Sequence, residues 1–574
     1  MNNTLEYYFH PDNLLLAYHR IICWPERLVK DRFGLNAIGS NLDENLKTLS
    51  TKIISGKYRP QKGFKFYEPK ASGTQRTKTL LFIEDALVYQ AIANVLAKRT
   101  YPALTEHDNF IFGSVLNPQT QRGTSILEDE NPVYFFFKHW KSLYGKFKAS
   151  VIKAIEEDEV TYKFETDITG FFDSIPHYNL LLTLSTEFGV EDEILDILSE
   201  CFNAWSGTKE NRTPGVGIPQ GPLPSYFLAN LLLHPLDIEV INGANKYYRY
   251  MDDIKIYGYS EKELLDILVR IDNYLKGHGL SINSKKTSIK KIDKNKEDET
   301  VKEFKRFAIM GEVYNGDLDP NDLPNDNESP LPFKEFDKSI SENLSSLFEQ
   351  TNQELEPSFD EIISEPEDVI QYWEDELQLV ERELPALFIP GTLELKNEEE
   401  TVDIDFIRLS AKYGTALRAL KEIKDINANQ NLLPYWVFAL KKYFWRANNF
   451  IINLQYYREN SSLKKDLFEL YESGYNYESY RYYIITCLTY NFAYEDRELR
   501  TVFKILKLER SDLVRYACYC LIIKHSNDLQ LLSSLKTELS REKTEYLKLI
   551  VLDYWKRDNH RVDSMLELTK SIGL

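Results

Sequence analysis

Two carboxylates stand side by side in YYRYMDDIKIYG, Tyr247 to Gly258, where Asp252 and Asp253 separate two short runs rich in Tyr and Ile. The flanking runs predict a β-hairpin with the pair at its tip. Asp-Asp is also ordinary turn chemistry, but like charges this close repel, and the repulsion costs stability unless something positive sits against them. A divalent metal would serve, helped by a further Asp or Glu at the end of a neighbouring strand. KFETDITGFFDSIP supplies Asp167 at the end of the strand-like TYKFET, and Asp173 shortly after it. Asp167 and Asp252 would suffice to hold two Mg²⁺ ions about 3.5–4 Å apart, which aligns a 3′-hydroxyl, a triphosphate and its leaving group for in-line displacement.

These groups need rigid elements to hold them. The strand-like runs TYKFETDI, KYYRYMDDIKIYGY and KRFAIMGEVYN alternate with helical stretches, an α+β pattern. Tyr314 to Pro332, YNGDLDPNDLPNDNESPLP, crowds out apolar residues with Pro, Asn, Asp and Gly and predicts a linker. After it the periodicity is almost wholly helical. In SDLVRYACYCLIIKH, Leu513, Tyr516, Ala517, Cys520 and Leu521 fall at i, i+3, i+4, i+7 and i+8, with Ser511 or Asp512 as the cap, so one buried stripe per helix is expected. Stacked HEAT-like pairs and a compact irregular bundle both fit this pattern. Its many Tyr and Phe read as core and packing surface.

A chain of 574 residues is too long for one core, so two or three domains are expected. Its five cysteines are scattered without a CxxC pair, which argues against a zinc site or a disulfide framework and suits a reducing cytoplasm. No basic leader precedes the first apolar run and no membrane-spanning stretch occurs, so a soluble protein with no membrane partner is expected. The net charge of −19 argues at first against a nucleic-acid partner. Yet basic islands occur at Lys57–Lys78, Lys138–Lys148 and Lys285–Lys291, while acid gathers further on. Each island alone is a solvated surface; flanking a carboxylate site, they predict a positive channel.

The order of motifs resembles that of reverse transcriptases. FETDITGFFDSIP is similar to the first palm motif, GIPQGPLPSYFLANLLLHPLD (Gly217 to Asp237) to the second, YRYMDDIKIYG to the third, and GHGLSINSKKTSI (Gly277 to Ile289) to the fourth, with its LxINxxKT pattern. Upstream, YRPQKGFKFYEPKASGTQRTKTLLFIEDALVYQAI resembles the fingers of intron- and retron-type enzymes, and FIFGSVLNP the segment that follows. The implied layout is an N-terminal segment and fingers over 1–160, a palm over 161–314, a linker over 315–332 and an all-helical domain over 333–574. The resemblance implies Asp167 and Asp252 as metal ligands with Asp253 beside them, ligating or tuning, Mg²⁺ as the cofactor and Mn²⁺ able to substitute. It implies Arg76 as the cation meeting the triphosphate, with Lys65 and Lys70 as weaker candidates; a planar guanidinium suits phosphate. Gln220 and Gly221 would shape the nucleotide and template pocket, and Lys286 would protonate or neutralise the leaving pyrophosphate. Phe172 matches the gate against a 2′-hydroxyl, so dNTPs and a DNA product are expected.

The surrounding parts narrow the class. No HNH-like cluster, CxxC nuclease finger or basic maturase-like tail follows the palm, unlike a mobile group II intron protein, and a retron enzyme would end sooner. Palm and fingers, an insertion before the first motif (NPVYFFFKHWKSLYGKFKAS) and a long helical region together resemble the bacterial abortive-infection (Abi) and unknown-group defence-associated (DRT) reverse transcriptases. That resemblance implies antiphage defence, a homo-oligomer, and in some members untemplated DNA synthesis primed by a protein tyrosine. Tyr7, Tyr8 and Tyr18 are exploratory choices for the priming residue. Gln220 and Gly221 keep templated synthesis open, with an RNA template or dedicated non-coding RNA as partner, as in a retron-like or intron-derived enzyme. A non-enzymatic scaffold with a decayed palm is the remaining alternative, and the intact carboxylates speak against it.

Overall fold

A computed structural model describes residues 3–23, 32–107, 109–117, 135–138, 140–209, 211, 213–242, 246–294, 301, 366–396, 400–423 and 427–558. They fall into two compact units. The first takes the described residues up to Glu68 and from Gln75 to Val301; the second takes Pro69–Thr74 and those from Pro366 onward. The expected linker 315–332, the strand KRFAIMGEVYN and part of the NPVYFFFKHW insertion lie outside the described residues.

In the first unit, four N-terminal helices (α1 Asn3–Tyr8, α2 Pro11–Cys23, α3 Arg32–Gly39, α4 Leu42–Ile54) gather around the long helix α5 (Ile83–Thr105). Between α4 and α5 lie the strands β1 (Phe64–Pro69) and β2 (Gln75–Leu80), a two-stranded sheet. Helix α6 (Trp140–Glu156) precedes β3 (Tyr162–Asp167), the short α7 (Phe171–Ser174), α8 (His177–Phe188), α9 (Asp192–Trp205) and α10 (Leu223–Ile241). The hairpin β4 (Lys246–Tyr250) and β5 (Asp253–Gly258) leads into α11 (Glu261–Gly277) and β6 (Ser288–Lys291).

The second sheet is antiparallel, in the order β4-β5-β3-β6. Side-chain alternation along β3 and β5 sorts its two faces. Phe164, Thr166, Ile254 and Ile256 are buried on one face, while Lys163, Glu165, Asp167, Asp253 and Lys255 occupy the other. Helix α10 is apolar almost all round, and accordingly nearly every residue of it is buried. Helix α11 is amphipathic instead: Leu264, Ile267, Ile271 and Leu275 are buried, and the Ser260 hydroxyl caps its start by accepting the Glu263 amide at 3.3 Å.

All regular elements of the second unit among the described residues from 366 are helical: α12 (Pro366–Ala386), α13 (Glu400–Ile423), α14 (Leu433–Lys442), α15 (Ala447–Leu454), α16 (Ser461–Ser473), α17 (Glu478–Asn491), α18 (Asp496–Leu508), α19 (Asp512–His525), α20 (Leu529–Ser540) and α21 (Glu545–Asp558), with two short 3₁₀ turns. Helices α13, α15, α17, α19 and α21 each pack on the next in that series, and α14 packs on α16 and α18 on α20. The expectation of one buried stripe per helix needs correction here. In α19 the cap is Ser511, as anticipated, but Val514, Cys518, Tyr519, Ile522 and Ile523 are buried along with the expected residues, because α17, α18, α20 and α21 all lie against it. Helix α18, with a neighbour on fewer sides, keeps the narrow stripe Leu499, Val502 and Leu506. No helix among the described residues is long and apolar enough to cross a membrane.

Candidate active site

The paired-carboxylate reading is met by a hairpin whose turn carries Asp252, with Asp253 opening β5. Asp253 lies directly opposite Asp167 in the antiparallel ladder, and partners in such a ladder share a sheet face. Asp252 and Asp167 approach closely enough to interact directly. Burial, then the neighbouring Asp167 charge, pushes the Asp252 carboxyl up, and the Lys286 ammonium draws it partly back. Asp253 is the more exposed carboxylate; its Oδ1 lies 3.8 Å from Lys255 Nζ, which also donates to Glu165 at 2.8 Å.

The fourth-motif segment closes the other side. Asn283 donates its backbone amide to the Asp167 carbonyl at 2.7 Å and its side-chain amide to Asp167 Oδ2 at 3.1 Å. Lys286 sits one turn further, its amide on the Asn283 carbonyl at 2.9 Å and its exposed ammonium 3.2 Å from Asp167 Oδ2. Residues distant in sequence thus place one cation and one amide on a single carboxylate.

The second motif docks between the first motif and β2. Ile218 donates to the Phe172 carbonyl at 2.9 Å, and Thr79 donates to the Gln220 carbonyl at 3.0 Å. Gly221 has φ +138, and a Cβ there would lie 3.3 Å from the Thr79 carbonyl, so the turn requires glycine. Phe172 packs edge-on against Tyr226 of α10, ring centroids 5.1 Å apart. Burial pushes the Tyr226 hydroxyl up to about 12, while nearby Arg76 pulls it down. Arg76, exposed on β2, therefore reaches the neighbourhood of Phe172.

The other proposed phosphate cations are placed differently. Lys65 is buried, donates to the Thr79 hydroxyl at 3.0 Å, and is pushed down to about 8 by burial, with Asp173 acting against the shift. Its ammonium holds β1 to β2. Lys70 is exposed in the Pro69–Thr74 turn, which groups with the second unit.

Residues 86–306 match the family model described as reverse transcriptase (RNA-dependent DNA polymerase). This segment is similar to reverse transcriptase domains. The enzyme class of that family is RNA-directed DNA polymerase, a nucleotidyltransferase, and the family works on nucleotides with a nucleic-acid template and product. Among curated proteins the chain is similar to the "Uncharacterized 91 kDa protein in cob intron" of Schizosaccharomyces pombe, 26% identical over 266 residues, or 46% of this chain and 29% of the relative. The chain thus spans under a third of that relative's length. Among solved structures it is similar to telomerase from Candida tropicalis, once with a TWJ fragment of telomeric RNA (TM-score 0.28, 12% identity, 83% of this chain and 68% of the other) and once in the apo form (TM-score 0.28, 10% identity, 89% and 74%). A TM-score this low carries no inference.

Reverse transcriptase domains use divalent metal ions, usually Mg²⁺. The donor set of this one fits that use. Among the described residues no cluster of three or more His, Cys, Asp or Glu side chains is set to hold a metal, but Mg²⁺ is commonly held by one or two carboxylates with water and substrate phosphate completing its shell. Asp167 and Asp252, mutually repelling and partly buried, would supply such a pair.

Four residues of the domain carry contacts that the motif comparison left without a role. Asn283 was within the quoted LxINxxKT pattern, so its signal was present. Tyr226 and Asp237 stand in the second-motif stretch and Arg249 in the third, but their partners are set by tertiary packing, which a motif does not record. The exploratory priming tyrosines fare poorly. Tyr8 is buried, with its hydroxyl donated to Glu191 at 2.8 Å, and Tyr18 is buried in the same core. Neither presents a hydroxyl to solvent; Tyr7 is partly buried against the core.

Proposed function

We propose that the chain is a metal-dependent DNA polymerase that adds dNTPs at the Asp167/Asp252 centre and acts in antiphage defence. The observation that carries the catalytic part is the convergence of Asp252, Asp167, Asn283 and Lys286 at one end of the palm sheet. Asp167 and Asp252 would hold the divalent ions, with Asp253 tuning the pair through its tie to Lys255. Bound there, such ions supply charge neutralisation and an activated 3′-hydroxyl. The chain's own residues do the rest. Lys286, free to swing from Asp167, neutralises the departing pyrophosphate. Arg76 orients the triphosphate through charge-assisted hydrogen bonds, and Phe172, backed by Tyr226, excludes a ribose 2′-hydroxyl.

The defence assignment draws on the layout of fingers and palm followed by a helical array, whose alternating helix contacts suit HEAT-like stacking. Protein-primed, untemplated synthesis by a homo-oligomer belongs to this reading. A second reading, templated copying of a dedicated RNA by an intron-derived enzyme, is favoured by the relative named for the cob intron and by Gln220 and Gly221 standing in the second motif.

The test is incubation of purified protein with Mg²⁺ and labelled dNTPs, with and without an RNA template and primer, beside Asp252→Ala. Incorporation should fall at least ~1,000-fold in the variant, since several kcal/mol of barrier lowering are removed. Label bound to the polypeptide until nuclease treatment supports protein priming; incorporation only with template supports the second reading. Undiminished incorporation by Asp252→Ala would sink both.

A further inference from the structure

We propose that Arg249 is a positioning residue of the carboxylate centre: with Asn230 and Gly113 it holds the β4–β5 turn in the conformation that brings Asp252 against Asp167. This rests on the reading of that pair as the catalytic centre.

Arg249 lies on β4 opposite Ile254, on the apolar face of the sheet, and is fully buried. A guanidinium there must have its charge paired and its donors filled. Its Nε and Nη2 donate to the two carboxylate oxygens of buried Asp237, at 2.7 and 2.6 Å. Those bonds satisfy the charge, and Asp237 also accepts the Tyr247 hydroxyl at 2.6 Å. The remaining nitrogen, Nη1, does something else: it donates to Asn230 Oδ1 at 2.9 Å and to the Met251 carbonyl at 2.8 Å. That carbonyl belongs to the peptide that enters Asp252.

Met251 has φ 56, a left-handed conformation that a side-chain-bearing residue keeps only when its surroundings hold it there. The surroundings come from three segments. Helix α10 contributes Asn230 and Asp237. β4 contributes Arg249 itself. The third segment, within FIFGSVLNP, runs parallel to β4: Arg249 donates to the Phe110 carbonyl and Phe112 to the Arg249 carbonyl, each at 2.8 Å. At its end Asn230 donates to the Gly113 carbonyl at 2.8 Å, and a Cβ on Gly113 would overlap the Met251 backbone nitrogen. One planar, four-way donor network therefore joins the buried charge pair to the turn. Lysine could keep the ion pair but not this fork geometry.

Arg249→Lys and Gly113→Ala test this in the full chain. Three quantities are read: kcat and KM for dNTP incorporation, Mn²⁺ binding without nucleotide by electron paramagnetic resonance titration with Asp252→Ala as the reference for a lost site, and the melting temperature. Expected in both variants is a kcat lower by at least ~30-fold with KM for dNTP within about threefold, together with Mn²⁺ half-saturation raised at least about fivefold per folded molecule. Either variant, folded, with kcat and Mn²⁺ affinity within about twofold of the parent overturns the proposal, as does a loss of activity that only follows the unfolded fraction. Should Gly113→Ala fail to fold, Arg249→Lys decides by the same criteria. A parent protein that binds Mn²⁺ through Asp252 but incorporates no dNTP removes the functional reading alone, and the Mn²⁺ titrations of the variants then judge the positioning role.

Discussion

The two compact units differ in how they bury polar groups. In the first, whole charges go inside: Arg249 with Asp237, Lys65 on Thr79, Lys163 and Lys255 around Glu165, and Asp85 held by Tyr58, Trp205 and the Gln61 amide. In the second, many ion pairs link helix to helix at partly exposed positions, as Lys464 does with Glu498 at 2.7 Å, although Arg515 and Glu542 are largely buried, and several buried polar groups are hydroxyls bonded to their own helix, such as Thr486 and Thr489, or amides bonded to a neighbouring one, such as Asn453 on the Ser410 carbonyl. Apolar side chains of the right volume fill an interior more cheaply than ion pairs do. Buried charge is therefore informative about where geometry matters more than stability, and among the described residues the fully buried pair Arg249–Asp237 lies at the palm sheet.

That contrast can be broken by substitution. Asp237→Asn should be the most damaging, because it leaves the Arg249 charge buried without a counter-charge; about 3–5 kcal/mol of stability should be lost, read from urea denaturation. Lys65→Met should act in the reverse sense. The Lys65 pKa is lowered on folding to about 8, so the unfolded chain binds the extra proton between that pH and the ordinary lysine range. Stability accordingly rises with pH through that window, and the full cost is present at pH 7. Removing the ammonium should therefore stabilise the protein at pH 7 by up to ~3 kcal/mol, with the gain shrinking as pH is raised past 8; an equal effect at pH 7 and pH 10 would contradict the assignment. Lys464→Met, at a pair whose Glu498 is well exposed, should cost no more than ~1 kcal/mol. A loss there as large as that of Asp237→Asn would erase the distinction between the units.

Much of the centre was legible in the residues because its chemistry depends on local order. Asp252 and Asp253 fall at a turn, Asp167 ends a strand, and Lys286 follows Asn283 by one turn, each fixed by a few neighbouring side chains. Other assignments depended on partners far along the chain. Lys65, a weaker candidate for the triphosphate, is a buried tie to Thr79, while Tyr8, an exploratory choice for the priming residue, is committed to Glu191. Burial cannot be read from a basic run or from a tyrosine near a terminus.

The sequence by itself predicted a carboxylate pair at a turn with a third carboxylate at a strand end, and a helical array after them, because strand alternation, turn residues and helical period act over ten residues or fewer; the roles of Lys286 and Phe172 rest on the resemblance of the motifs. Only the tertiary structure decided how Asp252 is aimed. Its turn takes its shape from Arg249, Asn230 and Gly113, which lie on three separate segments and meet only after α10, β4 and the 110–114 segment have packed. Directed hydrogen bonds in a buried site depend on distances of tenths of an ångström, and no periodicity in a chain records those.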